Sequence, residues 1–285
     1  MATLYVVATP IGNLEDITLR ALRILREVAL IAAEDTRRAR LLLRHYGIKT
    51  RVTSYYEHNK LTKLDAILAA LNEHDVALIS EAGMPAISDP GYELVCAAIE
   101  RGIKVVPIPG PSAIIAALAV AGLPTDRFLY LGFLPRRKSE RRRLLDEIAG
   151  ERATIVAYEA PHRLLACLED ILAVLGDRRM VVGRELTKVF EEIQRGTVSE
   201  ILAHVRATPP RGELTLVIEG NMGRSATAEP SGERLRQRLA ELTTQGMSPT
   251  EVARRVATEF GLRRRDVYQI AVSGQMSDVR NSSDC

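Results

Sequence analysis

The chain has 285 residues, 46% apolar and 26% charged, enough for one large or two small folded domains and unlike a disordered polyelectrolyte. Its 39 basic and 36 acidic residues leave a net charge of +3, so no uniformly basic surface is available to grip a polyanion. No apolar run reaches 18 residues, which excludes a helix long enough to cross a bilayer, and Cys96, Cys167 and Cys285 lie far apart with no CxxC pair, which excludes a disulfide scaffold and fits a reducing cytosol. The opening MATLYVVATP has no basic stretch ahead of an apolar core. It reads directly as a strand, so a cytoplasmic protein without membrane attachment is expected.

The first 123 residues alternate short β-rich runs with helical patterns, as a parallel α/β sheet requires. TLYVVATP is a strand ending at Pro10-Ile11-Gly12-Asn13. A helix is predicted from Asp16, with Ile17, Leu19, Ala21, Leu22 and Leu25 as its apolar positions. LIAAEDTR, VALISEAGMP and KVVPIPGPSA are three further strands. Ser112 is placed to cap a helix over 113–121, and Gly122 to stop it.

A boundary is placed at about 123, before Pro124. The strand FLYLGFLP then leads into a basic segment, where Ser139 is placed to cap a helix ending near Gly150. ATIVAYE is a strand, PHRLLACLEDILAVLG a helix with Pro161 in its first turn and Gly176 at its end, and RMVVGREL a strand. EEIQRGTV, a short helix from Ser199 and ELTLVIEG complete a second α/β unit over 124–222. Residues 221–232 have linker composition. Beyond them a helical extension over 233–285 contains the capping-box pattern Ser248-Pro249-Thr250-Glu251 and ends in the polar run SDVRNSSDC.

The charge excess is local. Residues 136–143 read RRKSERRR, six cations and one anion in eight residues, and Arg263 to Arg265 add three more. Such segments suit a polyanion partner, although a solvated loop with a basic helix start accounts for them equally well.

In a parallel α/β sheet, ligands bind outside the carboxyl ends of the strands. Four unusual turns stand there: Pro10 to Asn13, Glu34-Asp35-Thr36-Arg37, Ser80 to Gly91, and Pro109-Gly110-Pro111-Ser112. Their Gly and Pro content leaves backbone accessible to a ligand. The chain has no GxxxxGK[ST], no GxGxxG after its first strand and no GxSxG elbow, so P-loop, dinucleotide and α/β-hydrolase sites are excluded. The five histidines show no HxxxH spacing, and no metal is expected. The residues by themselves point to a small-ligand cleft between two α/β domains with a basic attachment, and do not name the ligand.

VATPIGNLEDITLRAL, AEDTRR, SEAGMPAISDPG and PGPSA, in this order, resemble the tetrapyrrole methylase superfamily of S-adenosylmethionine-dependent (class III) methyltransferases. The TPIGN and EDTR wording is similar to the branch that methylates the 2′-hydroxyl of a decoding-centre cytidine in 16S rRNA. YEAPHRL, GRELTK and GELTLVIEG extend the likeness over nearly the whole chain. Where the superfamily usually has SDAGTP, this chain has Glu81 and Met84, which leaves backbone contacts from Ala82 and Gly83 but removes a hydroxyl at Met84.

The resemblance implies a two-domain fold holding S-adenosyl-L-methionine in the cleft, usually in a homodimer, with the small ribosomal subunit as partner. By analogy the pocket uses Pro10, Ile11, Ala82, Gly83, Met84, Ile87, Ser112 and Ala113, with Glu159 and Leu186 from the second domain. Asn13, Glu34, Asp35 and Arg37 are the candidates for the chemistry. Asp35 or Glu34 would accept or orient the 2′-hydroxyl proton, Arg37 would hold a flanking phosphate, and Asn13 would orient substrate or cofactor. Glu185 and Lys188 are a second-domain alternative. RRKSERRR and the basic tail would contact rRNA phosphates, and with aromatics at 4% and no Trp extensive base stacking is not expected. A small-molecule methylase of the same superfamily and an inactive rRNA-binding factor are the alternatives.

Overall fold

The computed structural model describes residues 2–57, 59–222, 232–260, 267, 268 and 270. The chain divides into two compact units at Gly220–Asn221. The first unit holds two sheets, one within residues 1–123 and one within 124–220, called here its two halves.

The first sheet joins β1 (Thr3–Val7), β2 (Leu30–Ala33), β3 (Arg51–Ser54), β4 (Val76–Ile79) and β5 (Lys104–Ile108) in the order β3-β2-β4-β1-β5, all parallel. All four residues of β4 are buried. Ala77 and Ile79 face a layer containing α1 (Leu19–Glu27) and α2 (Thr36–His45), whereas Val76 and Leu78 face α3 (Lys60–Leu71) and α4 (Tyr92–Glu100). A strand covered on both faces has to be apolar throughout, which is why this one reads as an unbroken run. The loop after β4 leaves toward one face of the sheet, while those after β1 and β2 leave toward the other. That opposition opens a crevice at the carboxyl ends.

Local starts differ from expectation in four places. Residues 14–16 form a single 3₁₀ turn capped by Asn13, and the helix begins after Thr18, whose Oγ1 accepts from the Ala21 N–H at 3.1 Å. The strand β3 has no counterpart in the sequence reading, because its half-buried RVTS shows neither alternation nor an apolar run. Ser112 occupies the cap position of α5 (Ala113–Ala121) but makes no capping hydrogen bond, while Gly122 closes that helix at φ 70°. Ser139 lies inside α6 (Lys138–Glu147), whose cap position is Arg137.

The second sheet joins β6 (Phe128–Phe133), β7 (Thr154–Glu159), β8 (Arg179–Arg184), β9 (Glu192–Thr197) and β10 (Leu214–Ile218) in the order β6-β7-β10-β8-β9. Only β6 and β7 are parallel; the remaining pairs are antiparallel. One face is covered by α6, α7 (Pro161–Leu175) and α8 (Val198–Ala207), the last starting in a capping box made by Thr197 and Glu200. On the other face α5, from the first half, packs against β7, β8 and β10. Ile114, Ala117, Leu118 and Ala121 meet Val156, Val181 and Val217 there. Apolar all round, α5 buries this one face and leaves Ile115 and Val120 exposed on the other.

Of the cations in RRKSERRR, Arg141 alone is buried. Arg141, with 4% of its side chain exposed, donates through Nε and Nη2 to Asp170 Oδ2 at 2.9 and 2.5 Å, and Arg142 reaches Oδ1 at 2.7 Å. Burial pushes the Asp170 carboxyl up, but hydrogen bonds from Arg142 and Arg141 overcome it and hold it below its ordinary range. Arg137 and Arg143 pair with Glu140 and Glu147. In the second unit, α9 (Gly232–Thr244) and α10 (Pro249–Phe260) pack through Leu235, Leu239, Leu242, Val252, Val256 and Ala257. Arg263 to Arg265, the linker over 223–231, Cys285 and the polar end lie outside the described residues.

Candidate active site

Three turns at the carboxyl ends of the first sheet are drawn together by backbone contacts. Thr9 and Gly83 form an isolated antiparallel bridge, with Thr9 N–H donating to Gly83 O at 2.9 Å and Gly83 N–H to Thr9 O at 3.0 Å. Gly83 sits at φ 79°, where a side chain is strained. A Cβ there would stand 3.6 Å from Ile11 Cγ2 and 3.8 Å from Pro111 O, which measures how closely the turns approach.

A cleft of about 310 Å³ opens at this point, lined by Thr9, Pro10, Ile11, Ala82, Arg38 and Lys188 among others. That size suits a small organic ligand. The second half enters through residues 185–188, where Glu185 and Thr187 have φ of 50° and 66°. Left-handed non-glycine residues cost about 1–3 kcal/mol each and gather at functional sites. The Thr187 hydroxyl accepts from the Asn13 N–H at 3.1 Å, and any Cβ at Gly12 would meet Lys188, Thr187 and the Leu186 carbonyl. Lys188 bridges Glu185 at 2.9 Å and Glu213 at 3.1 Å; burial lowers its pKa, but these two partners raise it further than burial lowers it.

Of the predicted cofactor residues, Pro10, Ile11 and Ala82 line the cleft, and Gly83 ties it to β1. Ile11, Ala82, Ala113 and Leu186 share one apolar cluster between the sheets. Met84 is half-buried and Ile87 is 51% exposed. Ser112 stands at the start of α5 with its hydroxyl uncommitted to capping. Glu159 turns elsewhere: its buried carboxylate pairs with Arg163 Nε at 2.9 Å and accepts from the Ala160 N–H, so it secures the start of α7.

The predicted chemical group separates in the same way. Asn13 folds back to accept from the Glu15 N–H at 3.0 Å. Asp35 caps α2, accepting from the Arg37 and Arg38 N–H groups, and its side-chain hydrogen bond with Arg37 holds its carboxyl below the usual range. Arg37, 87% exposed, is engaged with that same carboxylate at 3.2 Å. Glu34 differs. It is half-buried, accepts from the Glu81 N–H at 3.1 Å, and is pushed up mainly by burial and further by Glu81 and Asp35.

Sequence reasoning missed three neighbours. Arg38, rather than Arg37, lines the cleft and pairs with Glu81. Thr9 is buried with its Oγ1 unpartnered. Asp89 is raised to about 6, first by burial and then by Glu34 and Glu81, against a hydrogen bond with Ser80. Its loop carries Ala86 and Ser88 at φ of 67° and 64°. The only signal for Asp89 in the sequence was its place in a long turn of Gly and Pro.

The sequence profile of the tetrapyrrole (corrin/porphyrin) methylases matches residues 3–202. The ribosomal RNA small subunit methyltransferase I of Halalkalibacterium halodurans is 48% identical over 271 residues, covering 94% of both chains. The protein of that name from Escherichia coli O157:H7 is 47% identical over 277 residues, covering 95% of both. Among solved structures, uroporphyrin-III-C-methyltransferase from Thermus thermophilus superposes with a TM-score of 0.52 at 21% identity, over 76% of this chain and 94% of that one. A diphthine synthase gives 0.58 at 14% identity, over 77% and 90%. These two share the fold.

Proposed function

The chain belongs to the tetrapyrrole (corrin/porphyrin) methylase family, and on that premise we propose that it uses S-adenosylmethionine to methylate the 2′-hydroxyl of a decoding-centre cytidine in 16S rRNA of the small ribosomal subunit. The observation that carries the reading is near-full-length likeness to proteins named for small-subunit rRNA methylation. The cleft supports it. A buried Thr9 Oγ1 without a protein partner offers a polar contact to a ligand. The uncapped amino end of α5 offers N–H groups to a carboxylate. Ile11 and Leu186 form an apolar wall, and the small Ala82 lines the cleft beside them.

When bound, S-adenosylmethionine supplies an electrophilic methyl on a sulfonium. The protein's task is to position a ribose hydroxyl and take up its proton, since such hydroxyls are poor nucleophiles at neutral pH. A proton acceptor works best with a pKa near the working pH. Glu34 and Asp89, both raised, suit that role, whereas Asp35, lowered and spent on capping α2, does not. Arg38 and Lys188 are the cations that line the cleft, and a phosphate there would share them with their carboxylate partners Glu81, Glu185 and Glu213. A homodimer acting in the cytoplasm completes the reading.

The test is transfer of labelled methyl from S-adenosylmethionine to small subunits isolated from cells lacking this protein, followed by mapping of the product. A single 2′-O-methylated cytidine is expected. Label on a base, or none on RNA, overturns the reading.

A further inference from the structure

The edge strand β6 is irregular toward its carboxyl end. It pairs with β7 through Phe128↔Thr154, Leu129↔Ile155 and Tyr130↔Val156, and then through Phe133↔Tyr158. Between the last two pairs β6 spends three residues and β7 two, so β6 carries one extra residue next to Gly132, which sits at φ 68°. Such a bulge re-aims the side chain that follows. Without it, Phe133 would stand opposite Glu159, on the face packed by α6 and α7. With it, Phe133 joins Tyr130 and Tyr158 on the face shared with Ile11, Ala82 and Leu186.

The three rings form a continuous surface. Phe133 and Tyr158 have centroids 5.4 Å apart at 53°, and Tyr158 and Tyr130 are 5.5 Å apart, edge to face. The Tyr130 hydroxyl lies 2.7 Å from Ser88 Oγ, tying the surface to the strained loop of the first half. A Cβ on Gly132 would come within 3.3 Å of that same Oγ, so the bulge also permits the approach. Tyr130 and Tyr158 are half-buried, but Phe133 remains 60% exposed, held on one side only. Of eight tyrosines and four phenylalanines in the chain, three are spent here. Arg136, Arg137 and Lys138 follow within five residues, all exposed.

An exposed aromatic ring, braced by others that share an apolar cluster with the cleft residues Ile11 and Ala82 and followed by cations, is how proteins receive an unstacked base and its phosphates. We propose that Phe133 is the stacking surface for the acceptor nucleobase once it has been turned out of the RNA. This rests on the acceptor reading given under Proposed function, and makes Phe133 a determinant of RNA binding without a part in the proton transfer.

The experiment compares wild type, Phe133→Leu and Phe133→Trp. Three readouts are taken: kcat and KM for methyl transfer to small subunits, the Kd of S-adenosylhomocysteine by calorimetry, and the melting temperature. Because the ring is exposed, both variants should fold. Loss of one stacked base corresponds to about 5- to 100-fold. Phe133→Leu should therefore lower kcat/KM for subunits within that range, mostly through KM, with the cofactor-product Kd within twofold and Phe133→Trp restoring activity. Unchanged kcat/KM in Phe133→Leu, or failure of Trp to rescue, overturns the proposal while the acceptor reading stands. A parallel rise in the Kd overturns it too, assigning the ring to the cofactor. If wild type itself transfers no methyl to subunits, the acceptor reading fails and this proposal with it.

Discussion

The two halves of the first unit reach the cleft by different means. In the all-parallel first sheet every strand delivers its carboxyl end to the same side, so the turns after β1, β4 and β5 meet there and build a floor from backbone. The second sheet is mostly antiparallel, and its loops alternate between two ends. It contributes residues 185–188 and a bulged edge strand. Its apolar core also contains one buried ion pair, Arg141–Asp170, with the half-exposed Arg142 on the same carboxylate. A parallel sheet concentrates its function at one rim by topology alone, whereas a mixed sheet has to arrange each contribution through a strained loop or a bulge.

If that division is right, damage to the second half's buried ion pair should cost stability without touching the site. Arg141→Ala leaves Asp170 buried with Arg142 as its remaining partner, and a loss of about 3–5 kcal/mol is expected. Urea denaturation measures it, and calorimetry on the folded fraction should find unchanged cofactor affinity. Arg142→Ala, whose side chain is 45% exposed, should cost much less. Equal losses would mean that the triad acts as a unit.

The converse case is Gly83→Val. A β-branched residue at φ 79° strains the bridge to Thr9 and crowds Ile11. Cofactor affinity should fall about 10- to 100-fold, roughly 1.4–2.8 kcal/mol, read by calorimetry. A variant that binds normally would show that the floor is not formed from this turn.

The smallest effect concerns Asp89. Its folded pKa, about 6, lies above the ordinary aspartate value of 3.8, so the folded state holds more protons between those values and stability falls as pH rises through that window. Asp89→Asn removes the penalty and should stabilise the protein at pH 7 by at most about 1–2 kcal/mol, allowing for screening of its exposed part. Thermal melts from pH 4 to 7 measure the slope. If Asp89 also accepts the proton, the acid limb of the kcat profile near pH 6 should disappear in the same variant, and kcat should drop about 100-fold or more.

Much of the first half was legible in the sequence. The strand before the Gly83 turn is apolar throughout, and Gly83 and Gly122 stand where the chain takes positive φ. The second half was less so. Nothing in RRKSERRR distinguishes Arg141, which pairs with a carboxylate 29 residues away, from Lys138, which stays exposed. Nor does the spacing of EDTRR show that Asp35 and Arg37 hold each other while Arg38 reaches the rim.

Local pattern thus determined the strands other than β3, most helices and the position of the Gly- and Pro-containing turns, because apolar periodicity and turn chemistry act over a few neighbouring residues. Tertiary structure alone decided which charges are buried, which carboxyl groups are raised, and which face Phe133 takes. Those depend on burial and on groups distant in the chain, whose effects are set by low dielectric and close approach and leave no trace in local order.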